Sequence, residues 1–248
     1  MTALLEIEHL SLSYHEPGGE TTALSDISFE VQKGEFISIL GPSGCGKSTL
    51  LSAIAGLEKP SGGSITFHMP PGLVGYMFQH DLLLEWRSVF QNACLGLQVQ
   101  GRLNEETSRY VKELLESYGL GGFLSHKPSQ LSGGMRQRVA LVRTLALKPE
   151  LLLLDEPYSA LDYQTRLTVS DEIWKILRST GKTAILVTHD ISEAISLGDR
   201  VIILSRRPGR ILKDIPIDLG ADRTPLGVRS NPDFQHYFKT IWEVMQHA

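Results

Sequence analysis

The sequence predicts an α/β fold: a mostly parallel sheet covered by helices, with an antiparallel β region at the N-terminus and a block of helices inserted in the middle. Three observations predict it. From Leu151 onward, short apolar strands alternate with helical segments, the arrangement that yields parallel sheets. The run Phe36-Ile37-Ser38-Ile39-Leu40 is almost continuously apolar and stops at a glycine, as a buried central strand feeding a helix does. Between Asp81 and Gln130, Val111, Leu114, Leu115 and Tyr118 recur at three- and four-residue spacing, the period of a helix face.

Taken in order, Leu4 to Tyr14, Thr22 to Val31 and Glu35 to Leu40 read as strands, separated by the turn residues Pro17-Gly18-Gly19 and Lys33-Gly34. A helix starts at Lys47, and two further strands, Gly63 to Phe67 and Leu73 to Phe78, follow it. The helical insertion occupies about 81–145. Beyond it come the strand Leu151 to Leu154, a helix over Thr165 to Ser179, the strand Thr183 to Thr188, a helix opened by Asp190 and Glu193, and the strand Arg200 to Leu204. Asp190 and Glu193 fit a capping box in which aspartate replaces the usual Ser or Thr. Past Pro208 the pattern fades until Asn231-Pro232-Asp233 opens a last helix, with Phe234, Tyr237, Phe238, Ile241 and Met245 on one face. The expected division is one domain over 1–220 and a tail over 221–248 whose aromatic stripe packs on that domain. With 36 residues after Leu212, a separate regulatory domain is not expected.

Composition narrows the function. With 248 residues, 42% hydrophobic and 21% charged, the chain is an ordinary globular protein and not a disordered one. The net charge of −4 argues against a general electrostatic grip on nucleic acid or anionic lipid, so any bound anion must be met locally. No apolar run reaches the roughly 18 residues of a membrane span. The N-terminus is acidic and alternates like a strand, which reads as cytoplasmic and unprocessed. Cys45 and Cys94 are too few for a disulfide scaffold and are expected as thiols in a reducing compartment.

Gly41-Pro42-Ser43-Gly44-Cys45-Gly46-Lys47-Ser48 matches the phosphate-binding loop G-x-x-x-x-G-K-[ST], placed after an apolar strand and before a helix. Backbone N–H groups and the helix N-terminus cradle phosphates, glycines permit close approach, Lys47 adds a compact charge, and the Ser48 hydroxyl reaches Mg²⁺. The fold is thus expected to hold a P-loop NTPase core. The strand Leu151 to Leu154 ends in Asp155-Glu156-Pro157, which alone would be a capped strand end. Paired with the phosphate loop, Asp155 is assigned to Mg²⁺ through water and Glu156 to a general base in line with a γ-phosphate. Leu131-Ser132-Gly133-Gly134-Met135 opens an apolar helix and by spacing alone is either a helix cap or a second anion-binding N-terminus.

With those motifs in order, together with Gln79 after the strand ending at Phe78, Ser159-Ala160-Leu161-Asp162, and His189 closing a strand, the sequence resembles the ATP-binding subunit of ABC transporters from residue 4 to about 212. The resemblance implies the ABC ATPase fold and a head-to-tail homodimer that sandwiches two ATP molecules with Mg²⁺. It implies that Gly41, Pro42, Ser43, Gly44, Cys45, Gly46, Lys47, Ser48 and Thr49 bind phosphate and that Tyr14 stacks on adenine rather than simply packing at a strand end. Gln79 would bind Mg²⁺ and report to a membrane partner, and Ser132, Gly133 and Gly134 would reach the γ-phosphate held by the other subunit. His189 would hold the γ-phosphate and help place the water, and Asp162 would arrange the facing site. The catalytic set is then Glu156, His189 and Gln79, and the metal set Ser48, Gln79 and Asp155.

The last position of the Ser-Gly-Gly motif departs from the family's usual glutamine, Met135 standing in its place. That substitution leaves the anion-binding Ser132 and Gly134 intact. Met135 followed by Arg-Gln-Arg, the segment Glu85-Trp86-Arg87-Ser88-Val89, and Arg207-Pro208-Gly209-Arg210 look like the subfamily that imports nitrate, sulfonates, taurine and related solutes. The implied partners are integral permease subunits and, through them, an extracytoplasmic solute-binding protein, with this chain peripheral on the cytoplasmic face of the inner membrane. Trp86 is either an exposed partner contact or part of the insertion's core. A soluble ABC-type ATPase serving a cytosolic assembly scaffold is the alternative. A nucleic-acid machine fits poorly with the short insertion and the negative charge.

Overall fold

In chain order the elements are β1 (Ala3–Glu16), β2 (Gly19–Gln32), β3 (Phe36–Leu40), α1 (Lys47–Ile54), β4 (Gly62–Phe67), β5 (Val74–Met77), α2 (Val89–Ala93), α3 (Leu95–Val99), α4 (Glu105–Ser117), α5 (Gly133–Leu145), β6 (Leu151–Asp155), α6 (Tyr163–Ser179), β7 (Thr183–Val187), α7 (Ile191–Leu197), β8 (Arg200–Leu204), β9 (Ile211–Pro216) and α8 (Pro232–Gln246). The structure is a computed structural model and describes residues 3–16, 19–158, 161–220 and 223–248. The expected turn residues Pro17-Gly18 and the Ser159-Ala160 pair lie outside the described residues. The chain divides into two compact units, one made of 1–71 and 170–248 and the other of 72–169.

In the first unit, β1 pairs antiparallel with both β2 and β4 in the order β2-β1-β4. The hairpin runs past its apolar cores because the ladder continues through polar pairs such as Ser13 with Thr22 and Tyr14 with Thr21. The same unit holds β3 between β7 and β8, parallel to both, and every residue of β3 and β7 is buried. This is the pattern of a strand covered on both faces. The strand β9 runs antiparallel to β8 and was not legible in the sequence. Only Ile215 of its six residues is fully buried, and it ends in Pro216, so it lacks the alternation that marks a strand.

One core cluster joins Leu40, Ile195, Val201, Ile203 and Ile215 to Phe234 and Ile241 of α8, with Tyr237, Phe238 and Met245 packed partly against it. The expected aromatic stripe of the last helix is therefore the face it buries. Beside it, Asp199 accepts the Phe36 N–H at 2.9 Å and pairs with Arg178 and Arg223.

In the second unit, β5 and β6 pair in parallel, Val74 opposite Leu151 and Met77 opposite Leu154. The helices α2 to α5 follow the expected helical stretch with one difference. Residues 81–88 are not helical, and the first helix starts at Val89 under a capping box of Ser88 and Gln91. The physical reason is that side chains of α5 hold this stretch, Arg136 pairing with Asp81 and Arg143 donating to the Asp81 and Leu82 carbonyls.

Candidate nucleotide site

The phosphate loop leaves the buried end of β3 and enters α1 at Lys47. Gly46 caps α1 in the left-handed region at φ +106, and Gly44 is left-handed at φ +76, conformations that L side chains rarely adopt. Space is equally restrictive. A Cβ at Gly41 would stand 2.7 Å from Cys45 Sγ, and one at Gly46 would stand 2.7 Å from Leu24 Cδ2 and 3.0 Å from Ala23 O. Lys47 is buried, and its ammonium donates to Gly41 O at 2.8 Å and Pro42 O at 3.0 Å. The loop thus holds a desolvated positive charge against its own carbonyls, a cradle that fits a polyphosphate. Ser43, Gly44 and Ser48 are exposed. Burial raises the Cys45 thiol above its ordinary value despite the lowering effect of Lys47, and burial raises Cys94 to about 11, so both are neutral thiols as expected.

Tyr14, at the end of the β1 ladder, is 36% exposed and its hydroxyl donates to Thr49 Oγ1 at 3.3 Å. It therefore stands beside the first turn of α1. His189, just past β7, is exposed.

On the second unit, Asp155 is buried at the end of β6, and the Tyr76 hydroxyl donates to its Oδ2 at 3.4 Å. The next residue, Glu156, has φ +42, a strained conformation of the kind that clusters at functional positions. Gln79, exposed after β5, donates from Nε2 to Glu156 Oε2 at 3.4 Å. Ser132 is the N-cap of α5, its hydroxyl accepting the Met135 N–H at 3.3 Å. A Cβ at Gly134 would meet Leu161 Cδ2 at 3.2 Å and Thr165 Cγ2 at 3.3 Å. Glycine there lets α5 approach the start of α6. Asp162 accepts from Thr165 N–H at 3.0 Å and from its hydroxyl at 2.6 Å, bonds that hold its carboxyl below the ordinary carboxylate range.

For several residues that shape these parts, the sequence pointed to the position but not to the contacts. Gly209 accepts the Ser25 N–H at 3.0 Å and donates to Ala23 O at 2.8 Å, and a Cβ on it would lie 2.3 Å from Cys45 O. The Arg-Pro-Gly-Arg segment therefore backs the phosphate loop. On α5, Arg136 makes a bidentate pair with Asp81 at 2.8 and 3.0 Å and reaches Glu85 at 2.8 Å. Gln137 donates to Gln79 O at 3.3 Å, and Arg143 donates to Asp81 O at 2.6 Å and Leu82 O at 2.8 Å. The two sequence marks, Met-Arg-Gln-Arg and Glu-Trp-Arg-Ser-Val, thus bind each other. Lys127 donates to Trp86 O at 2.6 Å while the indole is 72% exposed, so Trp86 is no part of a core. In Asp190–Glu193, only half of the expected box forms. Asp190 accepts the Glu193 N–H at 3.1 Å, but the Glu193 carboxyl meets the Thr188 hydroxyl.

A phosphate loop on a parallel sheet, with a strand-end carboxylate pair and a Ser-Gly-Gly helix N-terminus, defines a P-loop ATPase of the ABC class. The family described as ABC transporter matches residues 24–159, and the chain belongs to it. Among its relatives, it is 46% identical to an uncharacterised ABC transporter ATP-binding protein, YtlC, of Bacillus subtilis, over 97% of this chain and 95% of that one. It is 40% identical to the taurine import ATP-binding protein TauB of Jannaschia sp., over 97% and 94%. Among solved structures, the dimeric bacterial ABC transporter cassette MJ0796 superposes with a TM-score of 0.77 at 32% identity, covering 86% of this chain and 99% of that one. The same cassette bound to ADP and Pi gives 0.73 at 32% identity, over 84% and 99%. Among the described residues no helix is long and apolar enough to cross a membrane.

Proposed function

We propose that this chain is the ATP-hydrolysing subunit of an importer for a small solute of the nitrate, sulfonate or taurine type. The observation that carries the reading is the near full-length similarity to taurine import ATP-binding proteins at about 40% identity. The exposed Trp86, braced by Lys127 on a segment that α5 holds, supports it as a surface for a permease. In this role the chain sits on the cytoplasmic membrane face, and an extracytoplasmic binding protein supplies the solute.

ATP binding closes two copies head to tail, and the closure moves the permease. Lys47 and the loop N–H groups bind the β- and γ-phosphates, and Tyr14 stacks on adenine. Ser132 and Gly134 complete the γ-phosphate site of the second copy, with Asp162 arranging the facing site. Ser48, Gln79 and Asp155 offer the oxygen donors that a hard cation such as Mg²⁺ takes. When bound, Mg²⁺ neutralises charge on the phosphate oxygens. Glu156 takes a proton from the attacking water while His189 holds the γ-phosphate.

Glu156→Gln is expected to lower ATP turnover by roughly a hundredfold or more while an ATP-dependent dimer persists on gel filtration. A wild-type rate refutes the base assignment. Ser132→Arg is expected to block that dimer while leaving nucleotide binding to the monomer intact, and a dimer that still forms with ATP refutes the trans role. The transport reading is tested by purifying the chain from its native membranes in mild detergent and identifying by mass spectrometry what stays bound. An integral permease supports it, and a cytosolic scaffold alone overturns it in favour of an assembly ATPase.

A further inference from the structure

We infer that Thr188 and Glu193 form a buried positioning pair that fixes His189 for the reaction. The inference rests on the role proposed above for His189. The strand β7 ends at Val187, and Thr188 is 2% exposed whereas the next residue, His189, is exposed. Three bonds pin Thr188. Its N–H donates to Ile39 O at 3.2 Å, its hydroxyl donates to Glu193 Oε2, and the same oxygen accepts the Asp190 N–H at 3.1 Å. One hydroxyl proton and two lone pairs allow that combination. The Val187–Thr188 and His189–Asp190 peptide groups, which bracket His189, are therefore anchored, the first to Ile39 O of β3 and the second through the Thr188 oxygen.

Glu193 is 6% exposed, and a carboxyl taken so far out of water is costly without a bonded partner. Capping α7 does not require it, because the Asp190 side chain already accepts the Glu193 N–H. What the carboxyl does is orient the Thr188 hydroxyl, whose lone pair then holds the Asp190 N–H. The hydroxyl stands between acid and backbone where an ordinary capping box has the acid reach the backbone directly. The geometry makes the pair a mount for the one exposed imidazole at the end of β7.

The test is steady-state ATP hydrolysis with an ATP titration, beside a thermal melt, on the full chain. Thr188→Val keeps the shape and removes the hydroxyl. Its kcat is expected to fall by roughly ten- to a hundredfold, the scale of a misplaced group, while the ATP KM stays within about twofold. Thr188→Ser is expected to restore kcat. Because Thr188→Val takes a hydrogen bond from a buried carboxyl, the double variant Thr188→Val/Glu193→Met replaces both members of that bond by apolar groups and is expected to regain Tm, with kcat still low. A wild-type kcat in Thr188→Val, or a kcat that recovers with Tm in the double variant, overturns the inference and leaves the pair as fold support. His189→Ala separates the two levels. If it is slow while Thr188→Val is fast, the positioning pair is refuted alone; if it turns over at the wild-type rate, the role of His189 on which the pair depends falls.

Discussion

Between Gly41 and Thr49 the chain is held by what cannot be added to it, and between Gln79 and Ser88 by what reaches across from α5 and Lys127. In the phosphate loop, left-handed glycines and a buried lysine, with Leu24 and Gly209 close behind, leave no room for a Cβ at Gly41, Gly46 or Gly209. In the second segment, Leu82, Glu85 and Trp86 are exposed, the backbone carbonyls are held by Gln137, Arg143 and Lys127, and Arg136 pairs with the carboxylates of Asp81 and Glu85. Steric fixation ignores pH and salt, whereas ion pairs respond to both. The phosphate loop is therefore built to keep one shape, and the segment carrying Gln79 and Trp86 is built so that its position can be biased.

The largest expected effect that would sharpen this contrast comes from Gly46→Ala, which combines a forbidden φ with a Cβ 3.0 Å from Ala23 O. ATP Kd should rise tenfold or more over wild type, which is about 1.4 kcal/mol, by a factor that does not change with salt in an equilibrium titration. Gly209→Ala lies outside any phosphate motif, yet its Cβ would meet the Cys45 carbonyl, so it too should weaken ATP binding, by somewhat less. Unchanged affinity there would break the claim that the loop is fixed by its backing.

Asp81→Asn is a smaller perturbation. It removes the charge-assisted partner of Arg136 and should cost about 2 kcal/mol of stability, visible as a lower urea midpoint. Nucleotide affinity of the monomer should hold. The smallest effect is on pH. Burial raises the Asp81 carboxyl, but the bonds from Arg136 and Leu83 and the nearby Arg143 outweigh it and leave the group below its ordinary 3.8. A lowered folded-state value means that its stabilisation is complete above the unfolded value and is lost as pH falls through the folded one. The difference in stability between wild type and Asp81→Asn should thus shrink toward zero below about pH 4. A constant difference down to pH 2 would show that Asp81 contributes no pairing energy.

How far the sequence could be read followed from the range of the interactions. The antiparallel region, the parallel strands and the helix openings at Lys47, Gly133 and Pro232 were legible because period, caps and glycines act over a few residues. The strand β9 was not, because an edge strand with one buried residue carries no alternation. The absence of helix over 81–88 was hidden for a different reason: its stabilising partners, Arg136 and Arg143, lie some fifty residues away in the chain.

The sequence by itself determined the class of protein, since a phosphate loop demands its glycines, lysine and serine at set spacing and local backbone geometry enforces that spacing. Only the tertiary structure decided that Gly209 backs Cys45, that the Arg136 and Glu85 marks are two halves of one ion-pair network, and that Thr188 stands between Glu193 and the backbone beside His189. Those contacts join residues by close packing and directed hydrogen bonds, for which one-dimensional spacing carries no signal.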